Sequence, residues 1–369
     1  MTLSLVEKIA DAVLYEGYIL YPYRPTAVKN QQRWNFGALC PESYSVAQRG
    51  TESWTMQTEC LVQANSQTNL DLKVRFLHLL SREVGMPISN LRSEISNFRS
   101  EISDPEYQVV PSLEVNGQLI QTWQEAIERE VTLPGIELGS SSGPQRLSFS
   151  FPASESSEDL RDARSGELLG VLVRKQQSLT GAIEVRIVEC GFRAMQSVND
   201  SNSETQPARL LKVTVQILNE TPLDNAPERS RDEALMRSFV STHTILKARS
   251  GEFVSLLDPP DAFRETAATC SNIGTYPVLA GEEGTRDCML SSPIILYDYP
   301  QIAPESAGNL YDGTEIDEIL TLRIMTLTDE EKREMRGADE RARQILERTE
   351  MLPAEQLMKM HGAMKGVKR

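Results

Sequence analysis

Two stretches of the chain alternate apolar and polar positions clearly enough to be read as strands. They are "MQTECLVQA" at 56–64 and "LDLKVRFLHLLSREV" at 70–84, where Leu72, Val74, Phe76 and His78 share one face by period two. "RWNFGAL" at 33–39 is read the same way. So is a tyrosine-bearing run from Tyr15 to Tyr21, stopped by Pro22 and Pro25 because proline cannot donate to a sheet ladder. Ahead of it, "LSLVEKIADAVLYE" at 3–16 sets Leu5, Ile9, Ala12 and Val13 at helical spacing. "TWQEAIEREVTL" at 122–133 fits a short strand or a short helix, and the pattern does not choose between them.

Beyond a flexible "GSSSG" at 139–143, alternation returns in "QRLSFSFP" at 145–152. The serine- and acid-rich "ASESSEDLRDARSG" at 153–166 reads as a loop. "GAIEVRIVECGF" at 181–192 and "RLLKVTVQILNET" at 209–221 then read as a hairpin with one buried and one wet face, as in a β-sandwich. After Pro227 the period turns helical. Ser230 with Glu233 forms a capping box, and Leu235, Phe239, His243 and Leu246 follow at steps of three and four, predicting a helix over 230–248 that packs on the sheet. Ile294, Ile295, Leu296 and Tyr297 read as a short buried strand between breakers. The last part is helical: Thr314 and Thr328 are N-caps, Gly337 separates two helices, and Pro353 opens a terminal one whose basic end suits its dipole. Such small helices serve as an arm or a docking surface.

The resulting expectation is an α+β protein. A mainly β N-terminal domain spans 1–138 and a linker 139–144. A β-sandwich-like domain with its packed helix 230–248 spans 145–313, and a helical C-terminal region spans 314–369. "RSEIS", repeated at 92–96 and 99–103, is a local duplication in a solvated loop or short helix, since a coiled coil needs more heptads.

Composition narrows the function classes. The 369 residues are 40% hydrophobic and 25% charged, as in an ordinary soluble protein. No apolar run reaches the roughly 20 residues that span a bilayer. The start of the chain has acidic residues where a signal peptide is basic, so the expected location is the cytoplasm. A net charge of −15 disfavours nucleic acid and anionic membranes as partners. The five cysteines, Cys40, Cys60, Cys190, Cys270 and Cys288, show no zinc-ligand spacing and read as reduced thiols. Asp312, Glu315 and Asp317, with Glu318, are weak candidates for a hard metal ion, although helix capping already explains two of these carboxylates. His78, His243 and His361 are the only histidines, each in an apolar or amphipathic stretch. Cys270 or Cys288 with His243 would make a thiol nucleophile and base, but neither cysteine has a recognisable elbow around it. No phosphate loop, dinucleotide fingerprint, nucleophile elbow or zinc-protease motif occurs, and no cofactor and no catalytic residue is assigned.

The stretch from Tyr15 to Trp34 remains. Tyr15, Tyr18, Tyr21 and Tyr23 are four of the ten tyrosines, and Arg24, Lys29, Arg33 and Trp34 follow. Tyrosines bury a ring while their hydroxyl seeks a partner, which suits an interface, and arginines beside aromatics suit stacking or carboxylates. These eight residues are the candidate partner-binding set. The opposing reading is internal, with the arginines paired to the chain's own acids and the tyrosines knitting the fold.

"ILYPYRPTAVKNQQRWNFGALCPESY" and "TECLV" resemble the start of a family of bacterial proteins encoded in nickel-iron hydrogenase operons of the actinobacterial type. The likeness recurs in "FVSLLDPPDAF", "CSNIGTYPVLAG", "LSSPIILYDYPQIAPES" and "TEIDEILTLRIMTLTDEEKREMR". What the resemblance implies is a non-enzymatic accessory protein for assembly, maturation or stabilisation of a nickel-iron hydrogenase, touching a hydrogenase subunit or another maturation protein. The alternative is a metal-dependent or thiol enzyme of unknown substrate.

Overall fold

In the computed structural model of the chain the described residues are 2–16, 23–25, 27, 30, 36–88, 107–138, 143–193, 209–302 and 317–353. Their organiser is one strand, β1 (Thr55–Pro87), 33 residues long. It joins the two segments read separately from the alternation, with a register irregularity between Ala64 and Asn69 where the ladder to its neighbour shifts.

Along one edge β1 pairs in turn with β10 (Arg209–Asn219), β5 (Trp123–Glu137) and β2 (Tyr107–Val110). Along the other it pairs with β11 (Val240–Phe253) and then β8 (Leu168–Gln176). The sheet extends from β10 through β9 (Leu179–Arg193) to β6 (Gln145–Phe151), and from β11 through β13 (Cys288–Ser292) to β12 (Tyr276–Leu279). With β7 (Ser154–Arg161) beside β8, this makes an 11-stranded antiparallel sheet. A separate hairpin of β3 (Ser112–Val115) and β4 (Gln118–Gln121) turns at Asn116-Gly117, both with positive φ, as a two-residue hairpin turn requires.

The architecture is thus mixed and strand-dominated. β1 lies within the expected N-terminal region, and β8, β10 and β11 from the expected middle region pair with it in one sheet. Leu72, Val74 and Phe76 do lie on one buried face, in a core with Val213, Val215, Ile183 and Phe239. Phe76 is its centre, 4.6 Å from Phe239 and 5.9 Å from Phe151 by ring centroids. The second half of β1 therefore faces β6, two strands beyond β10.

Several local expectations are corrected. The helix predicted over 230–248 is confined to α3 (Arg231–Leu235), opened by the Ser230–Glu233 capping box, and β11 follows at Val240. The spacing of Leu235, Phe239, His243 and Leu246 mimicked a helix. From Val240 to Leu246, however, every residue is buried, because β11 is covered on both faces, and β-branched Val240, Thr242, Thr244 and Ile245 favour the strand. The loop expected at 153–166 contains β7, a mostly exposed strand paired with β8, with Glu158 near Arg174 at 3.5 Å and Leu160 buried. "TWQEAIEREVTL" resolves as β5. In "RWNFGAL" the described part, from Phe36, forms no strand, only a bridge of Leu39 to Phe239. "IILY" is not a buried strand: Ile295 and Tyr297 are 72% and 86% exposed.

The helices lie on the face of β1 that carries Leu77 and Leu79. α1 (Thr2–Leu14) crosses it and Tyr15 follows in a turn, while the rest of the run read as a strand, 17–21, lies outside the described residues. α5 (Asp317–Met325), α6 (Asp329–Ala338) and α7 (Glu340–Glu350) supply Leu320, Ile324, Met335, Ile345 and Leu346 to a second core with Leu14, Tyr15, Tyr23 and Trp123. α6 opens on the Thr328–Glu331 capping box. Gly337 falls within α6, and Asp339 makes the break by capping α7. A short α2 (Glu42–Ala47) and α4 (Arg264–Ala267) complete the described helices.

Candidate functional site

Side chains alternate along β1, so Lys73 and Arg75 share the helix-covered face with Leu77 and Leu79. Across it runs α1, whose Glu7 and Asp11 lie one turn apart on the same side, and beside β1 runs β5, whose Glu128 and Glu130 share one face. Two cations thus sit between two pairs of carboxylates. Lys73 Nζ meets Glu7 at 3.0 Å and Glu130 at 3.2 Å; Arg75 Nη2 meets Asp11 at 2.7 Å and Glu128 at 3.2 Å. Burial works against the Lys73 ammonium, and the two carboxylates more than offset it, raising its pKa.

α7 closes the network. Tyr15 donates its hydroxyl to Glu128 at 2.6 Å, and Arg341 lies over the Tyr15 ring, 3.8 Å from Cζ to centroid, while also contacting the Tyr15 hydroxyl and Glu128. Trp123 Nε1 donates to Asp339 at 3.1 Å, tying the start of α7 to β5. Arg82 donates to the carbonyls of Gln121 and Gly337 and pairs with Glu125, tying the end of α6 to the same sheet. Between α1, β5 and α7 opens a cleft of about 480 Å³, lined by Lys8, Asp11, Tyr15, Glu128, Glu340 and Arg341.

Beneath it lies His243, opposite Arg75 in the β1–β11 ladder and fully buried. Its Nδ1 donates to the Ser241 carbonyl at 3.0 Å, and its Nε2 is buried without a partner among the described residues. Burial, reinforced by Arg75, drops its pKa to about 4. His78, on the opposite face, accepts from Gln176 at 2.7 Å and is likewise lowered to about 4, by burial and then by Arg129. Both imidazoles are neutral at pH 7.

Of the candidate partner-binding set, Tyr15 and Tyr23 are buried at 3% and 0% exposure, and Arg24 pairs with Glu331 at 3.2 Å and Glu334 at 3.7 Å on α6. These three are used within the chain. Tyr18, Tyr21, Lys29, Arg33 and Trp34 lie outside the described residues, as do Asp312, Glu315 and His361. Asp317 begins α5. Among the described residues no group of three or more His, Cys, Asp or Glu is placed to hold a metal ion. Burial pushes the Cys270 thiol up to about 11 and Cys288 to about 12, away from the thiolate a nucleophile needs. Cys288 pairs with Lys247, about 13 Å of strand from His243.

The seam of Lys73, Arg75, Glu128 and Glu130 was missed in the sequence. Its signal was there: opposite charges at period two in two neighbouring β segments, opposite an i, i+4 acid pair on α1. Chemically the seam clamps α1 and α7 to the sheet, and its cleft presents charges of both signs. No protein-family model matches the chain, and no curated protein matches it by sequence. Among the described residues no helix is long and apolar enough to cross a membrane.

Proposed function

We propose that the chain is an accessory protein that works by protein–protein contact in the assembly, maturation or stabilisation of a nickel-iron hydrogenase, in the cytoplasm. The hydrogenase context comes from the resemblance of its motifs. The mode of action is supported by one surface within those motifs. After β13 the segment 293–299 runs beside the sheet edge β12, held where Tyr299 N–H donates to the Leu279 carbonyl at 2.7 Å and Leu279 N–H to Asp298 at 2.8 Å. Leu296 packs inward while Ile295 and Tyr297 stand out, and Tyr276 on β12 is 47% exposed. An aliphatic and two aromatic side chains facing water on an anchored segment are costly to display alone and suited to a partner. The partner is a hydrogenase subunit or another maturation protein.

Two experiments test this reading. A strain lacking the gene is assayed for hydrogen uptake, and tagged protein is used to recover hydrogenase subunits from the native host. Loss of uptake on deletion, and loss of co-purification in Ile295→Asp and Tyr297→Glu with unchanged thermal unfolding, are expected. Normal uptake together with no recovered complex overturns it.

A further inference from the structure

A sheet that does not close leaves edges, and this one manages all but one of them. β12 carries Pro277 and is flanked by 298–299; β7 is acidic; β2 has four residues; β5 carries Pro134 and alternating charges. β6, "QRLSFSF", pairs only with β9, is seven residues long and has Arg146 as its one charge. Leu147, Phe149 and Phe151 are only partly buried against the main core, as residues at an uncovered edge are.

Main-chain geometry tells which groups of β6 face outward. Glu220 N–H donates to the Thr180 carbonyl at 3.0 Å, so Thr180 on β9 directs its main chain towards β10. Ser150 is opposite Thr180, so that rung of the β6–β9 ladder is not hydrogen-bonded, and by alternation neither are the rungs of Ser148 and Arg146. The N–H and C=O groups of Arg146, Ser148 and Ser150 therefore point away from the sheet, and no described residue pairs with them.

We infer that β6 is a self-association edge, pairing antiparallel with β6 of a second copy of this chain about a two-fold axis at Ser148. In that register the outward residues of one copy meet the outward residues of the other: Ser148 faces Ser148, and Arg146 faces Ser150. Every outward N–H then finds a carbonyl. On the apolar side Leu147 faces Phe149, which extends the core across the junction, and on the other side no like charges oppose. Pro144 and Pro152 lie symmetrically about Ser148. Sliding the pairing by two residues in either direction, the smallest shift that keeps outward residues opposite one another, sets Arg146 opposite Pro152 or Ser150 opposite Pro144, and proline has no N–H, so the prolines select the Ser148-centred register. A two-fold isologous pairing closes on itself and does not propagate. The net charge of −15 on each copy opposes association, so screening strengthens it.

The test is the oligomeric state of the full chain by sedimentation velocity and light scattering, at about 0.05 M and about 0.5 M salt. A concentration-dependent dimer is expected, tighter at the higher salt. Ser148→Lys, which sets two ammonium groups opposite each other and leaves the main chain intact, weakens it by about tenfold or more. Ser148→Pro, which removes an outward donor that makes no bond within one copy, does the same; if that variant misfolds, Ser148→Lys decides. Ser148→Cys treated with diamide gives an intermolecular disulfide, whereas Ser150→Cys, which faces Arg146, does not. A chain that stays monomeric throughout overturns the inference, and so does a dimer indifferent to both Ser148→Lys and Ser148→Pro. Capture of a hydrogenase partner through Ile295 and Tyr297 is a separate readout, so either result stands without the other.

Discussion

Arg341 on α7 lies over the ring of Tyr15, its Cζ 3.8 Å from the ring centroid, while the Tyr15 hydroxyl donates to Glu128 on β5. One tyrosine thereby ties the N-terminal helix, the sheet and a helix more than three hundred residues along the chain. Tyr15→Phe keeps the stack and loses the hydroxyl, which costs about 1 kcal/mol. Arg341→Met keeps the stem and loses the cation. In a double-mutant cycle of Tyr15→Leu, which removes the ring, with Arg341→Met, read by urea denaturation, the pair couples by about 0.5–2 kcal/mol. Strict additivity would mean that the stack holds nothing.

Phe76 anchors the other face of β1, between Phe149, Phe151 and Phe239. Phe76→Ala is expected to cost about 3–5 kcal/mol, the range for a large-to-small change in a tight core. Chemical denaturation measures it. A loss below about 1 kcal/mol would mean that β6 and β1 are not in contact in solution.

Gly337 near the end of α6 tests the docking of the helices. In an exposed helix Gly→Ala stabilises by up to about 1 kcal/mol. Here an added Cβ collides with the carbonyl oxygen of Leu119 on β4, so Gly337→Ala is expected to destabilise, by about 1–3 kcal/mol. The sign of the change in melting temperature reports whether α6 rests on β4.

Acid stability follows from the histidines. For His78 and His243 the folded pKa, about 4, lies below the unfolded value of about 6.5, so the unfolded chain binds more protons in between. Stability is full above pH 6.5 and falls as pH drops towards 4, by up to about 3 kcal/mol for each histidine. His243 faces Arg75, which opposes its protonation, and Glu128, which favours it. Unfolding midpoints measured between pH 7 and pH 4 should slope downward, and more shallowly in His78→Gln and His243→Gln. An unchanged slope in both variants would show that neither imidazole is the titrating group.

Periodicity carried far where burial was one-sided. Leu72, Val74 and Phe76 on β1, and Val213, Val215 and Ile217 on β10, were legible because one face of each strand meets a core. Caps were legible because they are local: Ser230 with Glu233 and Thr328 with Glu331 satisfy helix-end donors within one turn. β11 was not, since burial on both faces erases alternation and leaves spacings that fit a helix as well. The candidate set around Tyr15 was conspicuous by composition, yet whether a tyrosine meets a partner or its own chain depends on what packs beside it. For Tyr15 and Tyr23 that is α7 and the C-terminal core.

By itself the sequence determined the strand-rich character and the capped helix starts at Ser230 and Thr328, because these depend on neighbours within about a turn or a few residues of strand. Only the tertiary structure decided that two predicted strands are one, that Lys73 and Arg75 face the acids of α1 and β5, that Ile295 and Tyr297 stay in water, and that β6 has no second strand beside it among the described residues. These relations join residues far apart in the chain. They are set by which main-chain edges remain to be paired and which faces remain to be buried once every strand has found its neighbour.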